Sequence, residues 1–421
     1  MDVNQALKKL FSLHTFGIKL GLENISRFLE FIGNPQKQLK TFHIAGSNGK
    51  GSTASFIASI LMEFGNKVGL YTSPHFIRYN ERIKINNVQI PDDYVAKFVC
   101  DYADYIDEHG LTFFEVTTAI AFKYFYEQKV DYAVIETGLG GRLDATNVLQ
   151  PLAVAITSIS LEHTNILGTT IKEIAGEKAA IIKNPAKVFT GRMPSSAEDV
   201  VEEKCKAEKC SWFRIEDYIN IKGNSLELYT EELEIDDWSM PLKGEYQKYN
   251  AAIAALAIDK TLLKDDYKII SRGIKNVIKN TGLQGRFEYY STNPDIIFDS
   301  AHNPEGIENF LKEFSKDNKK YKKRVLLFGV MKDKSITEML SKLSGIFDEI
   351  HVTQVNYERS SKIEDLQNIA GELNIKVKPE NDPVEFIKKF KELNSKDCLV
   401  VLGSMYLIGE VKSVLQRNNF A

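Results

Sequence analysis

Two successive α/β units built on mostly parallel sheets are what the 421-residue sequence predicts. Three observations carry this. The chain exceeds the roughly 250–300 residues at which a single hydrophobic core stops growing. From Thr41 to Val188, short apolar runs alternate with amphipathic segments of helical length, the pattern of strands and crossover helices. A second alternating series opens at Asp295.

The strands of the first series are TFHIA, KVGLYT, DYAVIE, AVAITSI and KVFT. Between the second and third, RIKINNVQI (Arg82 to Ile90) reads as a hairpin projecting from the sheet, because Asn86 and Asn87 tolerate positive φ. Cys210 to Asp237 mixes aromatic, charged and turn residues without a period and reads as short antiparallel strands. The second series runs DIIFDS, RVLLFGV, DEIHVTQ, IKVK and DCLVVLGS. Helix starts are marked by Asn303 before Pro304 and by two capping boxes, Ser335 with Glu338 and Ser361 with Glu364. The boundary lies between Thr281 and Asn293, giving an N-terminal domain of residues 1–287 and a C-terminal domain of residues 294–421. Units in tandem predict a ligand cleft between them.

Composition narrows the function. With 43% hydrophobic and 26% charged residues the chain is neither disordered nor fibrous. Lys and Arg total 54 against 57 Asp and Glu, so nothing favours a nucleic-acid partner, and small molecules are expected. No apolar run of about 18 residues predicts a membrane span. The opening stretch, MDVNQALKKLFSLHTFGIKLGLENISRF, lacks the pattern of an export signal. Cys100, Cys205, Cys210 and Cys398 are too scattered for a disulfide framework or a zinc cluster, which fits a reducing cytoplasm. Nothing demands association, so a monomer is expected.

The strongest local signal is Gly46-Ser47-Asn48-Gly49-Lys50-Gly51-Ser52, which follows the strand TFHIA and opens the helix STASFIASILMEF. Phe56, Ile57, Ile60, Leu61 and Phe64 share one face that packs on the sheet, leaving the helix N-terminus and loop N–H groups to meet phosphate oxygens. Lys50 adds a mobile positive charge. The spacing departs from GxxxxGK[ST], so this is a variant phosphate loop; the plain alternative is a tight strand-to-helix corner. Glu136 ends the strand YAVIE ahead of a glycine-rich stretch, at the edge where ligands of open α/β sheets sit. A hard oxygen ligand there suits Mg²⁺.

His163 follows the next strand and by position reaches the same edge. Lys178 lies on a helix opened by the box Thr170 to Glu173 and reads, on its own, as a solvated lysine. Glu115 completes a box with Thr112 and needs no catalytic role. In DSAHNP, Asn303 and Pro304 are explained by helix initiation, whereas Asp299 and His302 are not. Arg286 reads equally as a surface arginine or as an arm toward a triphosphate.

Taken in order, HIAGSNGKGSTASF, GLYTSPHFIRYNERI, FFEVTTAIAF, IETGLGGRLDATNV, LGTTIKEIAGEKAAIIK, LKGEYQKYNAAIA, GRFE, DSAHNP and VLGSMYLIGEV resemble the folylpolyglutamate synthase / dihydrofolate synthase family of the Mur ligase superfamily along the whole chain. The resemblance implies an N-terminal P-loop ATPase domain and a smaller C-terminal Rossmann-like α/β domain, with ATP between them. It assigns Asn48, Gly49, Lys50, Gly51, Ser52, Asn250, Arg286 and Asp299 to ATP, and Ser73, Glu136 and His163 to Mg²⁺, expected as a pair of ions. Lys178 matches a lysine that is carbamylated in similar proteins. Two positions depart from the pattern, with Ser47 where Thr is usual and Glu162 where Asp is usual, and both keep the functional group.

The activity so implied joins L-glutamate to the carboxylate of dihydropteroate or a reduced folate through an acyl phosphate, with Lys50, Lys178 and His302 as catalytic candidates. A cell-wall peptide ligase would share the ATP site. A nucleotide-binding switch would need only the phosphate loop and Glu136.

Overall fold

A computed structural model of the chain describes residues 3–13, 21–222, 225–231, 234–235, 240–393 and 396–417. Contacts divide the chain into two units. Unit 1 comprises Met1–Pro74, Tyr79–Pro241 and Lys248–Gly282; unit 2 comprises His75–Arg78, Leu242–Gln247 and Leu283–Ala421.

Unit 1 is built on β1 (Thr41–Ala45), β2 (Val68–Tyr71), β3 (Ile83–Ile85), β4 (Val88–Gln89), β5 (Tyr132–Glu136), β6 (Ala153–Ile156), β7 (Lys187–Thr190) and β8 (Trp212–Arg214). They form one sheet in the order β4-β3-β2-β5-β1-β6-β7-β8, parallel from β2 to β8. Every residue of β1 is buried, as a central strand covered on both faces requires, which is why its sequence reads as a continuous apolar run.

Several expectations change in three dimensions. Asn86 and Asn87 do make the predicted turn, with φ of 46° and 65°. The hairpin does not project, however: β3 pairs antiparallel with β2 and continues the sheet, because its alternation buries Ile83 and Ile85. Of the stretch from Cys210 to Asp237, β8 joins the main sheet parallel to β7 instead of forming an antiparallel piece. The antiparallel expectation holds for β9 (Ile219–Lys222), β10 (Ser225–Tyr229) and β11 (Glu234–Ile235), while residues 223–224, 232–233 and 236–237 lie outside the described residues.

The helix Lys50–Glu63 is not one-faced, since every residue from Ser52 to Leu61 is buried. The sheet covers one side and the helix Tyr267–Lys275 covers another, so closely that a Cβ on Gly273 would stand 2.6 Å from the Cα of Ile60. Polar groups at this junction are paired. Ser59 Oγ donates to Gly273 O at 2.6 Å, and Glu63 accepts from Arg272, Asn276 and Asn280 at 2.5–2.9 Å.

Unit 2 carries β12 (Glu288–Thr292), β13 (Asp295–Asp299), β14 (Arg324–Phe328), β15 (Glu349–Val352), β16 (Lys378–Pro379) and β17 (Cys398–Leu402) in the order β12-β13-β17-β14-β15-β16. All neighbours are parallel except β12, which runs antiparallel to β13. β12 falls inside the stretch read as a boundary. Its half-exposed residues, EYYST, offer no apolar run to recognise. Asn303 caps the helix Pro304–Asp317 by accepting the Gly306 N–H at 2.8 Å, as expected. The two serine boxes do not form: Ser335 makes no side-chain cap bond, and the helix Ile363–Glu372 is preceded by Lys362. The threonine boxes, Thr112 with Glu115 and Thr170 with Glu173, are both complete.

Candidate active site

The glycine loop after β1 is shaped by steric need. At Gly46, with φ 147°, a Cβ would stand 2.0 Å from Thr157 Oγ1, and Gly49 takes the left-handed conformation, φ 86°, that starts the helix Lys50–Glu63. The segment after β6 braces the loop. Ser47 N–H donates to Ser158 O at 2.8 Å, Asn48 N–H donates to Ser158 Oγ at 3.0 Å, and Thr157 Oγ1 donates to Asn48 O at 2.5 Å. The Asn48 amide therefore faces Ser158, and the N–H groups left without intrahelical partners are those of the first helical turn, Lys50 to Ser52. Lys50 Nζ lies 2.7 Å from Gly46 O and 3.1 Å from Ser47 O. Asn250 sits against the loop, since a Cβ on Gly49 would come within 2.5 Å of its Oδ1.

Glu136 arrives at the same edge because β5 is the immediate neighbour of β1 and runs parallel to it, with Ile44 opposite Glu136. Adjacent strands are only about 4.8 Å apart. The carboxylate is buried, and its Oε2 accepts the backbone N–H of Ser73 at 2.9 Å, which brings Ser73 and Glu136 together. The turn beyond Glu136 is held by Asp144, whose carboxylate takes the N–H groups of Gly138 and Leu139 at 2.8 Å each. Burial raises the Asp144 carboxyl above its ordinary range even against these bonds.

Lys178 is the clearest correction. It is not solvated: its side chain is 2% exposed, and its Nζ donates to Glu162 Oε1 at 2.8 Å and to Gly46 O at 3.1 Å. Burial pulls the Lys178 ammonium below its usual pKa. Burial also opposes ionisation of Glu162, but Lys178 and Lys50 outweigh it and hold that carboxyl below the ordinary carboxylate range. His163, one residue on, has the left-handed backbone, φ 45°, that a side chain with a Cβ adopts only when its surroundings impose it.

Among the described residues no three His, Cys, Asp or Glu side chains converge as a ready cage for a metal ion. Mg²⁺ keeps waters and substrate phosphates and takes one or two carboxylates from the protein, and the buried Glu136 carboxylate at this edge is a ligand of that kind. Ser52 Oγ and Thr137 Oγ1 are buried without a protein partner, so hydroxyls flank this edge ready for a further ligand. The residues present fit the ion.

In unit 2, Arg286, Asp299 and His302 form a second group. Asp299 accepts the N–H groups of Phe287 and Ala301 at 2.7 and 2.9 Å, fixing Phe287 at φ 47° directly after Arg286. Burial raises the Asp299 carboxyl, with Arg286 working in the opposite direction. Ser300 Oγ donates to Gly285 O at 2.9 Å, and His302 Nδ1 lies 2.9 Å from Ser300 O. The turn carrying Arg286 is thus clasped to the turn carrying His302.

A family model for the Mur ligase middle domain matches residues 44–258, and one for the Mur ligase glutamate ligase domain matches residues 285–405. The chain is 35% identical to the dihydrofolate synthase/folylpolyglutamate synthase of Bacillus subtilis (strain 168), covering 95% of this chain and 96% of that one. The chain belongs to the Mur ligase family, in its folylpolyglutamate synthase / dihydrofolate synthase branch. This Mur ligase is also 31% identical to the Escherichia coli (strain K12) enzyme of the same name, over 97% of this chain and 94% of that one. The structure of Escherichia coli FolC in complex with DHPP and ADP superposes with a TM-score of 0.88 at 29% identity, covering 100% of this chain and 99% of that one.

Three features of the Mur ligase site escape a reading of the residues alone. Glu162, Asp144 and the hydroxyls after β6 look like ordinary loop polars. For Lys178 a signal was present, because Ile174, Ala175, Lys178 and Ala179 fall on one helical face and all are buried.

Proposed function

We propose that this Mur ligase uses ATP to join L-glutamate to the carboxylate of dihydropteroate or a reduced folate. One observation carries the reading: the phosphate-loop lysine and Glu136 emerge from neighbouring parallel strands at one sheet edge, with Ile44 and Glu136 in register. A triphosphate seated on the N–H groups of Lys50 to Ser52 lies where Lys50 supplies positive charge. Ser73, Glu136 and His163 would hold Mg²⁺, taken as a pair of ions, which when bound neutralises phosphate oxygens.

A carboxylate resists amines because it is anionic and has no leaving group. Phosphorylation removes both obstacles. The substrate carboxylate attacks the γ-phosphorus, ADP departs, and Lys50 and Arg286 offset the charge in transfer. The glutamate amine then attacks the acyl phosphate carbon, and the tetrahedral intermediate expels phosphate as the amide forms. His302 is assigned to positioning or to taking the amine proton.

Carbamylation of Lys178 belongs to the same reading. Burial lowers the Lys178 pKa and so eases loss of the proton that must leave before the amine can react with CO₂, and the product would be a carboxylate able to orient metal. We take the enzyme to act as a cytoplasmic monomer; its four cysteines form no disulfide, and among the described residues no helix is long and apolar enough to cross a membrane. The test is phosphate release from ATP with dihydropteroate or tetrahydrofolate, each with and without L-glutamate, followed by product mass. Release that ignores glutamate, or that needs nucleotide-linked muramyl compounds, overturns the proposal.

A further inference from the structure

The hydroxyl of Ser47 makes two bonds to one residue. It donates to Ser160 O at 3.2 Å and accepts the Ser160 N–H at 3.0 Å. Ser47 is 5% exposed, so these bonds replace water that it does not meet. One residue after Ser47 and two before Ser160, the Asn48 N–H reaches Ser158 Oγ at 3.0 Å, and Ser158 Oγ turns back to Asn48 O at 3.3 Å. The phosphate loop and residues 158–160 are therefore laced together through side chains where the β1–β6 ladder has ended at Ala45 and Ile156. Three residues beyond the lacing stands His163, with φ 45° and ψ 42°. A left-handed histidine persists only where neighbouring bonds leave the chain no alternative.

We propose that Ser47 is a positioning residue, whose hydroxyl clasps Ser160 so that the phosphate loop and the turn bearing His163 hold one fixed relation, and so sets how well divalent metal is retained. This rests on the ligase reading only in directing His163 toward metal. The clasp requires a hydroxyl and not serine as such, because both bonds use Oγ alone. Groups that orient metal ligands from behind typically change metal affinity about 10–100-fold when removed, with less effect on ligands they do not orient.

The test compares full-length wild type, Ser47→Ala and Ser47→Thr by three readouts: hydrogen exchange at the Ser160 amide, ADP binding without metal, and the Mg²⁺ needed for half-maximal glutamate-dependent phosphate release. In the wild type the Ser160 amide should be protected on the scale of its β6 neighbours. In Ser47→Ala that protection should be lost and the Mg²⁺ requirement should rise by about tenfold, while metal-free ADP binding stays within about twofold of wild type. Ser47→Thr should match the wild type throughout. An unaltered Mg²⁺ requirement in the alanine variant overturns the idea, as does a threonine variant equally impaired. Fast exchange at Ser160 in the wild type does so without any variant, which decides the matter even if Ser47→Ala fails to fold. Wild-type protein that shows the protection but releases no glutamate-dependent phosphate refutes the ligase reading and leaves the clasp standing.

Discussion

Lys178 Nζ stands 2.8 Å from Glu162 Oε1, and the two side chains are 2% and 7% exposed, so an ion pair is sealed inside the phosphate-loop unit. Taking charges out of water is offset here by their mutual attraction and by the bond from Lys178 to Gly46 O. Glu162→Ala, in bicarbonate-free buffer, leaves a buried ammonium without its partner and should lower stability by about 3–5 kcal/mol in urea unfolding. The double variant Glu162→Leu with Lys178→Met should regain most of that stability and none of the turnover. A single variant as stable as the wild type would contradict the pairing.

His43 gives unit 1 a pH dependence. It is fully buried in β1, its Nε2 meets Thr146 Oγ1 at 2.8 Å, and its Nδ1 is buried without a protein partner. Burial, aided by Lys183, lowers its pKa from 6.5 to about 3. Between those values the unfolded chain binds a proton that the folded chain refuses. Stability is therefore complete above pH 6.5 and is lost as pH falls toward about 3, with a slope of up to about 1.4 kcal/mol per pH unit. Urea midpoints at about pH 7.5 and about pH 5 should converge in His43→Gln. Identical pH dependence in both proteins would remove histidine as the cause.

Lys50→Ala and Glu136→Ala should each lower glutamate-dependent turnover by about 10²–10³-fold or more, the usual loss when a group that stabilises developing charge is removed. Circular dichroism should show the fold retained. Normal activity in either variant contradicts the assigned role.

Gly409 faces Phe76 backbone to backbone within unit 2, and a Cβ there would stand 1.9 Å from Phe76 O. No side-chain rotation relieves that clash, so Gly409→Ala should cost about 1–3 kcal/mol. Gly371, in the helix Ile363–Glu372, has nothing within 4 Å of its hypothetical Cβ. Gly371→Ala should therefore stabilise by about 0.5–1 kcal/mol. Thermal melts of the two variants should move in opposite directions.

Much of the frame was legible because it is locally encoded. β1 and β5 match their predicted runs because a central parallel strand shows apolar residues on both faces, whatever its neighbours turn out to be. The threonine boxes close within four residues and need no tertiary help. The edge strand β12 was missed, and β8 was read as antiparallel and not as part of the main sheet, for the opposite reason. Half-exposed strands acquire their identity from the strand beside them, and that partner is distant in sequence.

The order of residues by itself determined two parallel α/β units, a phosphate loop at a strand-to-helix junction and an acidic residue at a strand end, since each is written in a few consecutive side chains. Only the folded chain decided that β5 lies beside β1, that Lys178 is enclosed with Glu162, and that Ser47 is bound to Ser160. Those facts depend on contacts between segments far apart in the chain, whose burial and pairing energies no local period reports.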